Sequence, residues 1–270
     1  MQIPKIVLFF IVCAVLFVQF GLAHAQENKD SAFWYNRALD YEEKGDYENA
    51  IECYTKAIDL CPDPTCLSSN YLHRGTCNFD SGRYDQAIKD YSKAVELNPN
   101  SDTGYVGRGN VYLFLNEYDK ALINYTNAIE SGQKDYSGFY AFYLRSRAYY
   151  EKGEYDKALD DINYSLKLKP DQIYILWVRS DIYREMGRYK EAMADIEKSI
   201  SIAPDFYRFY FTRGKINESL GENEKALEDY RRGCDLGIED LVRNRPTAFG
   251  KKAIEDVCDA CERLRKELGK

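Results

Sequence analysis

One spaced pattern recurs six times along this chain, and it limits the fold more than any other feature. It first reads Gly45-x-Tyr47-x-x-Ala50-x-x-x-Tyr54-x-x-Ala57-x-x-x-x-Pro62. It returns as Gly82, Tyr84, Ala87, Tyr91, Ala94, Pro99, then as Asn116, Tyr118, Ala121, Tyr125, Ala128, then as Gly153, Tyr155, Ala158, Ile162, Ser165, Pro170. The last copies are Gly187, Tyr189, Ala192, Ile196, Ser199, Pro204 and the more worn Gly221, Asn223, Ala226, Tyr230, Gly233. The leading alanines, at 50, 87, 121, 158, 192 and 226, lie 37, 34, 37, 34 and 34 residues apart, a period of 34 with two three-residue insertions. Such a chain is an array of one supersecondary unit.

Each unit carries two amphipathic stretches, for example Ala32 to Lys44 and Tyr47 to Leu60, with Ile51, Tyr54, Ala57 and Ile58 at helical spacing. The glycine between them suits a left-handed helix C-cap, where a Cβ atom is costly. Small Ala50 and Ala57 let paired helices approach, the tyrosine fills the space between them, and Pro62 stops the second helix. One hairpin cannot bury its apolar face alone, so neighbours must stack.

A 34-residue period with these residues resembles the tetratricopeptide repeat family over Ser31 to Asp240, close to four fifths of the chain. The resemblance implies an all-α, right-handed superhelical solenoid of six hairpins, at about 31–64, 68–101, 102–135, 139–172, 173–206 and 207–240. After Leu236 the pattern changes: 241–250 reads as a loop, and Ala253 to Leu268 as a capping helix with Ile254, Val257, Cys261, Leu264 and Leu268 on one face. At the other end, residues 1–25 read as a secretory signal peptide: Lys5, an apolar run from Ile6 to Phe20, and the cleavage site Ala23-His24-Ala25, followed by a short lead at 26–30. Retention of that segment as a membrane anchor is the alternative. The expectation is export, to a periplasm or cell surface.

Composition acts mainly by exclusion. The formal net charge is −7, one unit more negative once Lys5 is removed, which offers no basic footprint for nucleic acid. His73 alone among the histidines follows the cleavage site, and neither a nucleophilic triad nor a metal cluster assembles around it, so it reads as a surface or packing residue. No cofactor or metal is implied, and no insertion is long enough to hold an enzyme. Asn124-Tyr-Thr126, Asn163-Tyr-Ser165 and Asn217-Glu-Ser219 are formal glycosylation acceptors that matter only in a eukaryotic secretory route.

Seven cysteines follow the cleavage site, Cys53, Cys61, Cys66 and Cys77 near the first repeat boundary and Cys234, Cys258 and Cys261 near the end. In an exported protein they are disulfide candidates at the two ends of an array, where stacking is missing on one side. Four can make two bonds, with Cys61 to Cys66 favoured by proximity, and three can make one, from Cys234 to Cys258 or Cys261. Cys234-Asp235-Leu236-Gly237 with a cysteine in the next helix also resembles the ends of bacterial Sel1-like exported repeat proteins, where a disulfide ties two helices together.

The family resemblance implies that the first helix of each pair lines a concave binding face. Its fifth position is Tyr35, Leu72, Val106, Tyr143, Trp177 and Phe211, apolar in every copy. Around the later copies cluster Tyr140, Tyr150 and Tyr174 with Arg147, Asp181, Arg208 and Lys215, a mixture of aromatic and charged groups that protein interfaces use centrally. A second column, Arg37, Arg74, Arg108, Arg145, Arg179 and Arg213, reads as structural, because Asp90, Asp161, Asp195 or Asp229 follows sixteen residues after four of them. The clamp that holds the C-terminal carboxylate of cytosolic chaperones in some members is not matched. Asn110 fits one clamp position, but Val106 stands where a lysine belongs, and Tyr174 and Val178 replace a basic pair. These features point to a non-enzymatic scaffold that binds a protein or extended peptide, with a glycan or cell-wall module as the alternative use of the aromatic groove.

Overall fold

The computed structural model describes residues 30–132, 138–170, 172–244 and 248–269. The signal segment assigned to 1–25 lies outside them. Thirteen helices and no strand occur among the described residues: α1 (Ser31–Glu43), α2 (Tyr47–Asp59), α3 (Pro64–Asp80), α4 (Tyr84–Leu97), α5 (Asp102–Phe114), α6 (Tyr118–Ser131), α7 (Phe139–Glu151), α8 (Tyr155–Leu168), α9 (Ile173–Glu185), α10 (Tyr189–Ile202), α11 (Tyr207–Ser219), α12 (Asn223–Asn244) and α13 (Ala248–Glu267).

The chain forms two compact units, one ending at Val111 and the other beginning at Tyr112. In the first, α1 pairs with α2 and α3 with α4, and α2 packs on α3. In the second, α7 pairs with α8, α9 with α10 and α11 with α12, while α8 packs on α9, α10 on α11 and α12 on α13. This is the consecutive helix-pair packing of a tetratricopeptide solenoid.

Local chemistry explains each hairpin. Gly45, Gly82, Gly153, Gly187 and Gly221 have φ of 72°, 79°, 79°, 70° and 76°, the left-handed region that ends the first helix. At the first of these turns Gly45 N–H donates to the Glu42 carbonyl at 2.9 Å and Asp46 N–H to the Tyr41 carbonyl at 2.9 Å. In the third copy Asn116 takes that place with φ 59°, as asparagine tolerates best among residues bearing a Cβ. The alanines at 50, 87, 121, 158, 192 and 226 are wholly buried, and so are Tyr54, Tyr125, Ile162 and Ile196. Ring and small residue are matched. A Cβ at Gly107 would fall 2.4 Å from the Tyr91 ring, and one at Gly214 2.5 Å from Tyr230.

The arginine column ties paired helices together. Arg74, Arg145, Arg179 and Arg213 each grip the aspartate sixteen residues on with two guanidinium nitrogens, as in Arg179 Nε to Asp195 Oδ2 at 2.7 Å and Nη2 to Oδ1 at 2.8 Å. All four aspartates are buried. Where the aspartate is lacking, Arg37 meets the Tyr41 hydroxyl and Arg108 donates to Ser92 Oγ at 3.0 Å.

Two expectations are corrected at the ends. The loop read at 241–250 is mostly helix, since α12 continues to Asn244 and α13 begins at Ala248. The reason is close packing: a Cβ at Gly233 would lie 3.0 Å from Val257, and one at Gly237 2.9 Å from Ile254, so these glycines admit α13 against a lengthened α12. Among the cysteines, Cys61–Cys66 and Cys234–Cys258 are bonded, the latter joining α12 to α13. Cys53 and Cys77 are not disulfide partners but buried thiols in one apolar cluster with Ala38, Ala50 and Tyr54, and Cys261 is a third thiol. They act as small core residues. Burial raises Cys53 and pushes the Cys77 thiol up to about 12.

Candidate functional site

The face that carries the aromatic and charged columns is built by α7, α9 and α11, with α9 packed between the other two. Residues two, five, nine and twelve places into these helices form columns: Tyr140, Tyr174, Arg208; Tyr143, Trp177, Phe211; Arg147, Asp181, Lys215; and Tyr150, Arg184, Glu218. The 34-residue period places them side by side, because equivalent turns of successive first helices stack in register.

The aromatics divide into two classes. Tyr140 and Tyr174 are 46% and 50% exposed, large apolar surface left open to water. Tyr140 stacks on Tyr143 with ring centroids 5.8 Å apart, and Tyr174 rests edge-on against Phe206 at 5.5 Å. Tyr143, Tyr150, Trp177 and Phe211 are half-buried. Trp177 Nε1 donates to Thr212 Oγ1 at 2.8 Å, and its ring meets Phe206 and Phe209 at 6.1 Å each. Phe211 meets Tyr230 of α12 at 5.6 Å. The fifth-position column therefore packs successive hairpins while bordering the face, and the second-position tyrosines are what the face presents.

The charged groups are arranged against these rings. The Arg147 guanidinium lies 5.9 Å from the Tyr143 ring, Arg208 5.9 Å from Trp177, and the Lys215 ammonium 4.2 Å from Phe211. Arg208 also donates from Nε to the Tyr207 hydroxyl at 3.1 Å. Asp181 accepts from Thr212 Oγ1 at 3.4 Å and has Arg184 Nε 3.8 Å away. Burial pushes Asp181 up to about 6, against the pull of Arg184 and Lys215, and burial likewise lowers Lys215. Tyr150 donates to Glu185 at 3.4 Å, and burial raises its hydroxyl.

Sequence reasoning missed two members of the twelfth-position column, Arg184 and Glu218. Arg184 bonds Glu185, and Glu218 accepts from Tyr230 and from Arg263 of α13, which couples the cap to the last hairpin. Reading 34 residues on from Tyr150, and again from there, finds both. His73 in the first unit is also more than a packing residue. It bridges the Tyr35 hydroxyl at 3.0 Å and Glu42 at 3.3 Å and lies against Tyr54, which donates to the same carboxylate at 2.6 Å. Of the glycosylation motifs, Asn124 and Asn217 are buried, which removes them as acceptors, while Asn163 is exposed and accepts from Arg179. No described helix is long and apolar enough to cross a membrane.

Four family models match successive stretches: Tetratricopeptide repeat at 31–64, TPR repeat at 78–115, Tetratricopeptide repeat at 106–173, and Tetratricopeptide repeat at 173–206 and 207–236. The chain belongs to the tetratricopeptide repeat family. Solved structures of similar fold include MamA, at 22% identity and TM-score 0.52 over 62% of this chain and 96% of that one. YrrB, described as a TPR protein with an unusual peptide-binding site, is similar at 21% identity and TM-score 0.53 over 69% of this chain and 93% of that one. PilF of Pseudomonas aeruginosa is similar at 13% identity and TM-score 0.62 over 84% of this chain and 97% of that one. Comparison with curated protein sequences gave no match. At these identities the solved tetratricopeptide repeat structures speak for the fold alone.

Proposed function

We propose that this tetratricopeptide repeat protein is a non-enzymatic scaffold, exported to a bacterial cell envelope or beyond it, that binds a protein or extended peptide on the face of α7, α9 and α11. The observation that carries the reading is the pair Tyr140 and Tyr174, two exposed rings at equivalent positions of neighbouring helices, each backed by a packed aromatic. Rigid aromatic anchors beside cations are what interface centres use. YrrB, a TPR protein described as having an unusual peptide-binding site, supports peptide capture as a use of this fold. Export is supported by the signal pattern of residues 1–25.

A pull-down from envelope extract, run beside a cell-wall pelleting assay, tests this reading. Capture of a protein partner that is lost in a Tyr140→Ala/Tyr174→Ala variant is the expected result. Pelleting with purified wall material and no protein capture would favour the glycan module instead.

A further inference from the structure

Buried or half-buried arginines in this molecule are paired as a rule. Arg74, Arg145, Arg179 and Arg213 hold aspartates, and Arg184 is bonded to Glu185. Arg147 and Lys215 break the rule. Both are half-buried, both lie on the face of α7, α9 and α11, and among the described residues neither has a carboxylate at ion-pair distance. Each lies instead beside an aromatic ring, at 5.9 Å and 4.2 Å.

An unpaired, partly desolvated cation is costly, and the cost is recovered when an anion arrives. Burial holds the Lys215 ammonium below its usual range, an expression of the same desolvation cost. Asp181 lies between Arg147 and Lys215 in their column but does not neutralise both, because Arg184 shares it from 3.8 Å. Over the four columns of the face Arg184 is held by Glu185 and Glu218 by Arg263 from α13, which leaves Arg147 and Lys215 facing the carboxylate of Asp181. A local cationic excess in a chain of net charge −7 is selective.

We propose that the occupant of this face is an extended polypeptide segment carrying both aromatic and acidic side chains, its carboxylates seated at Arg147 and Lys215 and its rings against Tyr140 and Tyr174. This rests on the peptide-binding reading above and adds the ligand's charge and character. Charge-assisted bonds at Arg147 and Lys215 set orientation and discriminate against basic segments, and the tyrosines supply apolar contact.

The test is selection of a random displayed peptide library on the mature protein, followed by affinity measurement on synthetic copies of the enriched peptides. The inference expects enrichment of Asp or Glu close to aromatic residues. It also expects a loss of about tenfold or more in affinity on Arg147→Gln/Lys215→Gln, and weaker binding as salt rises. The same loss must follow when the acidic residues of the peptide are replaced by Gln, a change that leaves the protein's fold untouched. Enriched peptides that depend on Tyr140 and Tyr174 but are neutral or basic would overturn this inference and leave the groove reading standing. Peptides indifferent to those tyrosines, or no enrichment at all, would overturn both.

Discussion

Asp181 holds its proton to about 6 because the fold buries it. An unfolded aspartate releases its proton near 3.9, so between about 4 and 6 the folded state binds more protons than the unfolded one. Stability from this residue therefore falls as pH rises through that window. Asp181→Asn should remove this dependence and raise the unfolding free energy at pH 7.5 by about 2 kcal/mol, read from urea melts at pH 4.5 and pH 7.5. An unchanged difference between the two pH values would mean that Asp181 is not desolvated. Trp177 and Tyr174 separate by role at the same scale. Trp177→Ala removes a packed ring and a bond to Thr212, and should cost about 2 to 3 kcal/mol of stability. Tyr174→Ala, half-exposed, should leave the melt nearly in place while weakening partner capture.

Between paired helices, the buried Arg–Asp pairs act as cross-ties whose loss is asymmetric. Asp195→Ala leaves the Arg179 guanidinium without its carboxylate partner and should destabilise by about 3 kcal/mol or more, whereas an exposed pair such as Lys225–Glu222 should matter little. At the C-terminal end α13 is held by the Cys234–Cys258 bond and by an apolar seam of Tyr207, Leu236, Ile254 and Val257. The bond closes a separation of 24 residues, so Cys234→Ser/Cys258→Ser should cost about 3 kcal/mol by reduced loop entropy. The loss should appear as faster amide exchange in α13 before α9. Titration of the unfolded, unreduced mature protein should find three thiols, Cys53, Cys77 and Cys261. In the native state Cys53 and Cys77 should resist alkylation, as buried thiols do.

Across the whole molecule, an array of similar hairpins gains stability from neighbours, so its ends are where fixation matters. Both disulfides lie there, one beside the first repeat boundary and one at the cap. Such bonds persist best in an oxidising compartment, the setting that the proposed export would supply. If the proposed export holds, mass spectrometry of the protein recovered from the envelope or medium shows a chain beginning at Gln26 with two disulfides. A full-length chain with all cysteines reduced would count against export.

The period of 34, the left-handed glycines, the alanine and tyrosine columns and the Arg–Asp spacing were legible in the residues alone, because each follows from backbone geometry or helix-to-helix distance inside one repeated unit. The aromatic and charged columns of α7, α9 and α11 were legible too, since a fixed period brings equivalent turns together. What neighbours do to a side chain was not. Tyr174 and Trp177 share a helix and a chemistry, yet the approach of Phe206, Phe209 and Thr212 encloses the indole and leaves the phenol half in water. Cys53 and Cys77 stay thiols because their burial sets them in an apolar cluster, and α12 outruns its repeat because Gly233 and Gly237 accept α13. Only the tertiary structure decides such contacts, for they depend on three-dimensional distances between residues far apart in the chain, whereas the repeat depends on distances along it.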